Sequence, residues 1–322
     1  MVIGGDQSGR VHAVDANIGA TNWGNTAALT GADAVQAGVS AQVRAWSNAA
    51  FQAAYTDDVI FGATLNTSSP TNNKVFALKA SDGTSAGWTF QDAINGVDTI
   101  AGQPYVDYAR NRLYVARRAG SGSNQQSLWV IKTVDGEGVL KGQPMACAAC
   151  TVSNRHFETS PTLSFDGNTL YIGATDGTLY AFNAGALTLK WTLAVGSKIN
   201  TSGFVWEDYS TAGRLYFVTA DGNVRCVQDN GGSASACTGW TVTNVPGAST
   251  PLLLDKLFVG ANDGTVRQTN LTTGTEDKRF PAAGSLDGTP LGAISTETGN
   301  EIFVGTNGGK IFKINLTSGA LP

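Results

Sequence analysis

His156 and Glu158 alternate along "RHFETSP", so in an extended segment their side chains point the same way. An imidazole beside a carboxylate there has the makings of an acid/base pair or of half a metal site. Glu158, with Asn200 in "INTSG" and Asp287 in "DGTP", also offers the carboxylate and amide oxygens that suit calcium. A solvated loop pair is the plainer reading of His156 and Glu158, and it is preferred. The other histidine, His12, lies in the strand-like "RVHAVD", where an imidazole facing a neighbouring sheet or solvent is ordinary. No G-x-S-x-G, phosphate-binding glycine loop or calcium loop occurs, and the recurrent Asp-Gly pairs lack the further carboxylates of a calcium loop. No catalytic residue, metal or cofactor is assigned.

The four cysteines fall into two local pairs. Cys226 and Cys237 flank "VQDNGGSASA", a Gly/Ser-rich turn between strand-like runs, which suits a cross-strand disulfide. Cys147 and Cys150 form "CAAC", whose spacing fits a loop disulfide, a redox pair or half a zinc site. Thr151 stands where a covalent haem would need histidine, and a thioredoxin-like role would need a βαβ context that the chain lacks. The loop disulfide is the preferred reading. Both pairs then point to an oxidising compartment.

The elements that must position these residues are strands. The chain has 322 residues with 40 glycines and nine prolines, which means many tight turns and no stiff linker. Its charged fraction is 14%, and abundant Asn, Thr, Ser and Gly suit strand faces and loops better than helix surfaces. Residues 34–54 have the most helical composition, broken by Gly38 and by β-branched residues. The net charge of -4, with its signs interspersed, offers no basic stripe to a nucleic acid. No apolar run approaches the length of a membrane helix, and "MVIGGDQSGR" lacks the features of a secretory signal. Export therefore implies a signal removed from this sequence.

One hairpin recurs seven times: "MVIGGDQSGRVHAVD", "VIFGATLNTSSPTNNKVFALK", "LYVARRAGSGSNQQSLWVIK", "LYIGATDGTLYAFN", "LYFVTADGNVRCVQ", "LFVGANDGTVRQTN" and "IFVGTNGGKIFKIN". Asp176-Gly177, Asp221-Gly222, Asp263-Gly264 and Asn307-Gly308 are expected to adopt positive φ readily and to make a tight turn whose twist matches that of antiparallel strands. Residues 66–74 and 120–126 replace that turn with longer polar loops, and residues 143–157 form a further loop. Shorter apolar strands precede most hairpins ("GQPYVD", "SPTLSF", "TSGFVW", "STPLLL", "GTPLGAI"), and a more polar fourth strand follows. Four antiparallel strands repeated at intervals of some tens of residues is the signature of a β-propeller.

The segment after the hairpin carries a family resemblance. "AVDANIGATNW" runs from Ala13 to Trp23 with Asp15 and Gly19 between. It resembles the tryptophan-docking motif of PQQ-like repeats, the propellers related to quinoprotein dehydrogenases. "AFNAGALTLKW" keeps Ala181 and Trp191 at the same spacing, with Asn183 for Asp and Leu187 for Gly, while "ALKASDGTSAGW" reaches Trp88 with one extra residue. "TNLTTGTEDKRF" keeps Asn270 and Gly274 but has no Trp. The resemblance covers nearly the whole chain and implies that Trp23, Trp88 and Trp191 are structural, filling the gaps between adjacent blades. It does not fix a function, because one fold hosts many activities.

The expected fold is all-β: a seven-bladed propeller of four-stranded blades with three-stranded terminal blades, eight blades being the alternative. Residues 1–322 read as one propeller domain cut from a longer parent protein. The loops entering the innermost strands bring together Asp98, Arg155, His156, Glu158, Asn200, Ser249 and Asp287, the expected binding face. A PQQ- and calcium-dependent dehydrogenase would place its calcium and an aromatic floor there. Only Trp46 and Trp206 lie near an inner-strand end, and no two cysteines are adjacent as in typical enzymes of that family. Non-catalytic members of the resemblance, such as the lipoprotein of outer-membrane barrel assembly, present loops to other proteins. The expectation is a non-enzymatic binding scaffold that is periplasmic, secreted or at the cell surface. It has a protein partner, no nucleic acid and no direct membrane insertion, and a glycan-binding surface is a further alternative.

Overall fold

The computed structural model describes the chain except residues 16–19, 25–32, 36–37, 67–71, 92–99, 101, 118–127, 140–156, 158, 200–204, 209–212, 282–285, 287–289, 296–299, 309 and 319–322. Among the described residues the strands form seven antiparallel sheets. The first holds β1 (Val2–Gly5), β2 (Val11–Val14) and β3 (Thr21–Gly24). The second holds β4 (Ser40–Gln42), β5 (Val59–Ala63), β6 (Val75–Lys79) and β7 (Ser85–Phe90). In the third are β8 (Tyr105–Asp107), β9 (Arg112–Ala116) and β10 (Leu128–Lys132). The fourth runs β11 (Thr162–Leu163), β12 (Thr169–Gly173), β13 (Thr178–Asn183) and β14 (Leu189–Ala194). In the fifth, β15 (Trp206–Glu207) and β16 (Arg214–Val218) lead to β17 (Asn223–Asp229), which pairs with both β18 (Ala234–Ala236) and β19 (Thr243–Asn244). The sixth holds β20 (Leu252–Leu253), β21 (Leu257–Gly260), β22 (Val266–Thr269) and β23 (Glu276–Phe280). The seventh holds β24 (Pro290–Ser295), β25 (Glu301–Thr306) and β26 (Ile311–Asn315).

The chain divides into two compact units, Met1–Leu170 with Phe182–Leu189, and Tyr171–Ala181 with Lys190–Pro322. In the first unit Phe61, Val75, Trp88, Leu113 and Val115 belong to one apolar cluster, and Val11, Val35, Ile60 and Phe76 to another. In the second, clusters form around Tyr171, Trp191 and Phe217, around Tyr216, Val245 and Leu257, and around Phe258, Phe280 and Ile302. β5, β12, β21 and β22 are buried throughout, whereas β14 is turned mostly towards solvent. A strand covered on both faces needs a continuous apolar run, which is why "LYIGA" and "LYFVT" carry no polar alternation.

Two expectations are corrected. Only the glycine of each Asp-Gly pair takes positive φ (Gly177 +78°, Gly222 +81°, Gly264 +78°). The amide of Gly177 donates to Ala174 O at 3.1 Å and that of Ala174 to Thr178 O at 2.9 Å, which is a three-residue hairpin connection rather than a two-residue one. Asp carries a Cβ that resists the left-handed region, and its side chain instead accepts from the second amide onward: Thr178 at 2.9 Å, Asn223 at 3.2 Å and Thr265 at 3.0 Å. Among the described residues of 34–54 the only α-helix is α1 (Ala49–Ala54), preceded by a 3-10 turn at Arg44–Trp46, because Ser40–Gln42 is taken up as an innermost strand. Among the described residues no helix is long and apolar enough to cross a membrane.

The Cys226–Cys237 disulfide closes the hairpin of β17 and β18, with Cα atoms 5.4 Å apart and the Cys237 amide donating to Cys226 O at 3.1 Å.

Candidate functional site

Of the residues expected at the strand entrances, Asp98, Arg155, His156, Glu158, Asn200 and Asp287 lie outside the described residues, as do Cys147 and Cys150. Ser249 is described, and it holds its own sheet together. Its amide donates to Gly260 O at 2.9 Å, and its hydroxyl accepts from Gly260 N at 3.1 Å.

In the first unit, three strand entrances are fastened side by side. Gln103, just ahead of β8, donates from Nε2 to Val39 O at 2.8 Å and from its amide to Ser160 Oγ at 2.9 Å. A Cβ on Gly102 would meet Thr159 O at 2.4 Å, so the backbones of these two entrances touch. Arg117 is fully buried beside them, its guanidinium carbon 5.7 Å from the Trp129 ring centre and its carbonyl accepting from Phe157 N at 3.2 Å. Sequence reasoning missed it; the signal was a charged residue directly after the apolar run "LYVA".

Successive sheets meet through one recurring contact. Four of the turns that follow a hairpin begin at Ala80, Thr133, Ala184 and Leu271, and the first carbonyl of each receives a donor from the sheet before. Trp23 Nε1 donates to Ala80 O at 2.8 Å, and Trp88 Nε1 to Thr133 O at 3.2 Å and Tyr55 Oη at 2.8 Å. Tyr114 Oη donates to Ala184 O at 3.2 Å and Tyr216 Oη to Leu271 O at 2.8 Å. In the fifth sheet a carboxylate takes this place: Asp229 accepts from Trp191 Nε1 at 2.9 Å and from Tyr171 Oη at 2.8 Å. Trp240, which the interrupted spacing of its strand concealed, lies against Gly274. Tyr114, Tyr171 and Tyr216 share one signal in the sequence, the "LY" that opens three of the hairpins.

At the exits of the innermost strands, aromatic side chains face solvent. Trp46 is 77% exposed, on the connection between β4 and β5, and Phe165 is 74% exposed, between β11 and β12. The segments that bear them are held by hydrogen bonds. Tyr108 Oη accepts from Val43 N and donates to Ala41 O, both at 3.0 Å, and Arg44 donates to Tyr55 O at 2.6 Å and Gln52 O at 3.1 Å. Asn48 caps α1 by accepting from Phe51 N at 3.3 Å, and also accepts from Asn111 Nδ2 at 2.7 Å. Arg110 spans from Asp107 Oδ2 at 3.0 Å to Gly167 O at 2.8 Å, linking the third exit to the segment that bears Phe165.

This position of Trp46 bears on the quinone reading. It follows the exit of β4, so Trp46 does not fit as the floor of a pocket at the strand entrances.

Perturbed carboxylates belong to turns and sheet surfaces. Hydrogen bonds from His12 and the Arg10 amide hold Asp6 well below the usual carboxylate range. At Asp263, burial acts upward but is outweighed by the Thr265 hydroxyl and the Arg267 guanidinium, leaving it lowered. Among the described residues no group of three His, Cys, Asp or Glu side chains is placed to hold a metal ion.

No protein-family model and no curated protein matches the chain. Among solved structures, the crystal structure of BamB from Moraxella catarrhalis is similar at a TM-score of 0.62 and 16% identity, over 97% of this chain and 80% of that one. The crystal structure of the computationally designed Ika8 protein is similar at a TM-score of 0.60 and 16% identity, over 99% of this chain and 82% of that one. The fold is a β-propeller.

Proposed function

We propose that this propeller is a non-enzymatic scaffold that acts outside the cytoplasm and presents its loops to a protein partner. The observation that carries the reading is the solvent-facing pair Trp46 and Phe165 on hydrogen-bonded connections of the first unit. Exposed aromatics on a rigid support are what protein interfaces use as anchors, since they bring large contact area at little cost in ordering. The likeness to BamB supports a scaffold role, and the Cys226–Cys237 disulfide supports an oxidising compartment.

The test places a photo-crosslinking residue at position 46 or 165 in the native host and identifies what is captured. Both positions should capture the same protein, and Trp46→Ser combined with Phe165→Ser should weaken its binding at least about tenfold. Unchanged binding in that variant, with loss in Glu158→Gln or Asp287→Asn, would move the surface to the strand entrances. Saturable binding of pyrroloquinoline quinone with calcium would overturn the non-enzymatic reading.

A further inference from the structure

Asn230-Gly231 lies at the tip of the hairpin closed by Cys226–Cys237, and both residues are solvent-exposed. Gly231 has φ +87°, and no atom lies within 4 Å of where a Cβ would stand. The Asn230 side chain is exposed, its Nδ2 donating to Ser235 Oγ at 3.4 Å, and glycine offers the following amide no steric cover against it. The Gly231 amide donates to Asp229 Oδ1 at 2.7 Å, so a carboxylate is already placed to take the proton that the amide nitrogen must lose to become a nucleophile. Asn307-Gly308, the other exposed pair of this type among the described residues, offers an internal standard.

We infer that Asn230 is a site of spontaneous deamidation and isomerisation, promoted by the Asp229 carboxylate. The Gly231 nitrogen bonds to Cγ of Asn230 and gives up its proton to Asp229. The C–N bond to the side-chain amide breaks, and the amide leaves as ammonia after taking a proton back. The resulting five-membered imide then adds water at one of its two carbonyls and opens to aspartate or isoaspartate. No redox partner is needed, and water is the only co-reactant.

The placement gives the modification a consequence. The two oxygens of Asp229 hold Trp191 and Tyr171, so the new negative charge arises one residue from the group that fastens the fourth sheet to the fifth. Isoaspartate also adds a methylene to the main chain inside a loop whose ends, Cys226 and Cys237, are covalently fixed.

The protein is incubated in mildly alkaline buffer at body temperature, folded and in denaturant, and cleaved after Lys and Arg. Asn230 is read in the peptide 226–256 and Asn307 in 280–310, by the mass of amide-to-acid conversion and by methylation with an isoaspartyl methyltransferase. In the folded protein Asn230 should convert several-fold faster than Asn307, with the lead lost in denaturant; Asp229→Asn should remove it in the folded state. Equal or slower conversion of Asn230 in the folded protein overturns the inference. So does a lead that persists in denaturant, since it would then owe nothing to Asp229. Should Asp229→Asn fail to fold, the comparison of folded with denatured parent protein decides alone.

Discussion

Where the second sheet meets the third, Trp88 lays its ring on Gly136, whose added Cβ would come within 2.6 Å of it, and donates to Thr133 O. Where the third meets the fourth, no tryptophan takes part among the described residues. Arg112 donates to Ala184 O at 2.8 Å and Gly185 O at 3.1 Å, Tyr114 donates to Ala184 O, and Leu187 occupies the turn position that is glycine elsewhere. Gly83, Gly136 and Gly274 each face a tryptophan of the sheet before; Leu187 adopts φ +57° to keep the same turn, its amide donating to Asn183 O at 2.7 Å as that of Gly136 donates to Lys132 O at 2.9 Å. The turn is therefore the invariant of the joint, while bulk is supplied from one side or the other. Ring and glycine form one solution; guanidinium, phenol and a strained leucine form the second.

The comparison is most exposed to Trp88→Ala. Losing a buried indole from the apolar joint should cost about 3–5 kcal/mol, read as a shift in the denaturant midpoint; a cost near 1 would show that the ring fills rather than fastens. Gly136→Ala should cost about 2–4 kcal/mol, because the new methyl meets Trp88 while the backbone sits at φ +73°. A smaller loss would mean the joint has slack.

At the polar joint the effects should be lighter. Leu187→Gly relieves about 1–2 kcal/mol of left-handed strain but forfeits about 1.5–3 kcal/mol of burial, so a net loss near 1 is expected by thermal melting. A net gain would show that Leu187 contributes no packing. The smallest effect is a pH dependence at Tyr216, whose hydroxyl donates to Leu271 O. Burial pushes that group from 10.0 up to about 12. Its folded-state value is raised, so its contribution is complete below pH 10.0 and fades as pH climbs through about 12. Melting temperature should fall more steeply over that window in the parent than in Tyr216→Phe, and parallel curves would remove Tyr216 from the account.

Much of the architecture could be read from residue types, because the hairpins repeat similar runs of apolar residues and most of their turns carry a glycine. The hairpin closed by Cys226–Cys237 was readable for the same local reason. Trp240 was not, since the disulfide interrupts the fourth strand of its sheet and splits it into β18 and β19, which destroys the spacing on which the tryptophan motif depends. The tyrosine ties escaped because a hydroxyl's partner lies in a different repeat, and periodicity reports which residues are equivalent rather than what they touch. Residues 34–54 misled by composition: alanine favours helix, but Ser40–Gln42 gains more from pairing with β5. Trp46 and Phe165 carry no pattern that distinguishes an exposed ring from a buried one, and of the entrance residues only Ser249 is described.

The carbonyl that receives each tie at Ala80, Thr133, Ala184 and Leu271 belongs to the main chain, which every residue type except its side chain shares alike. A socket made of backbone survives almost any substitution at its own position, and the matched change that a new plug demands falls three residues on, where glycine gives way to Leu187. Tryptophan, tyrosine and arginine have each been accepted by it here. A repeat of this kind can be copied, lost or exchanged with its neighbours while the accepting carbonyl stays the same and a single turn position adjusts, so many dissimilar sequences can build such a chain.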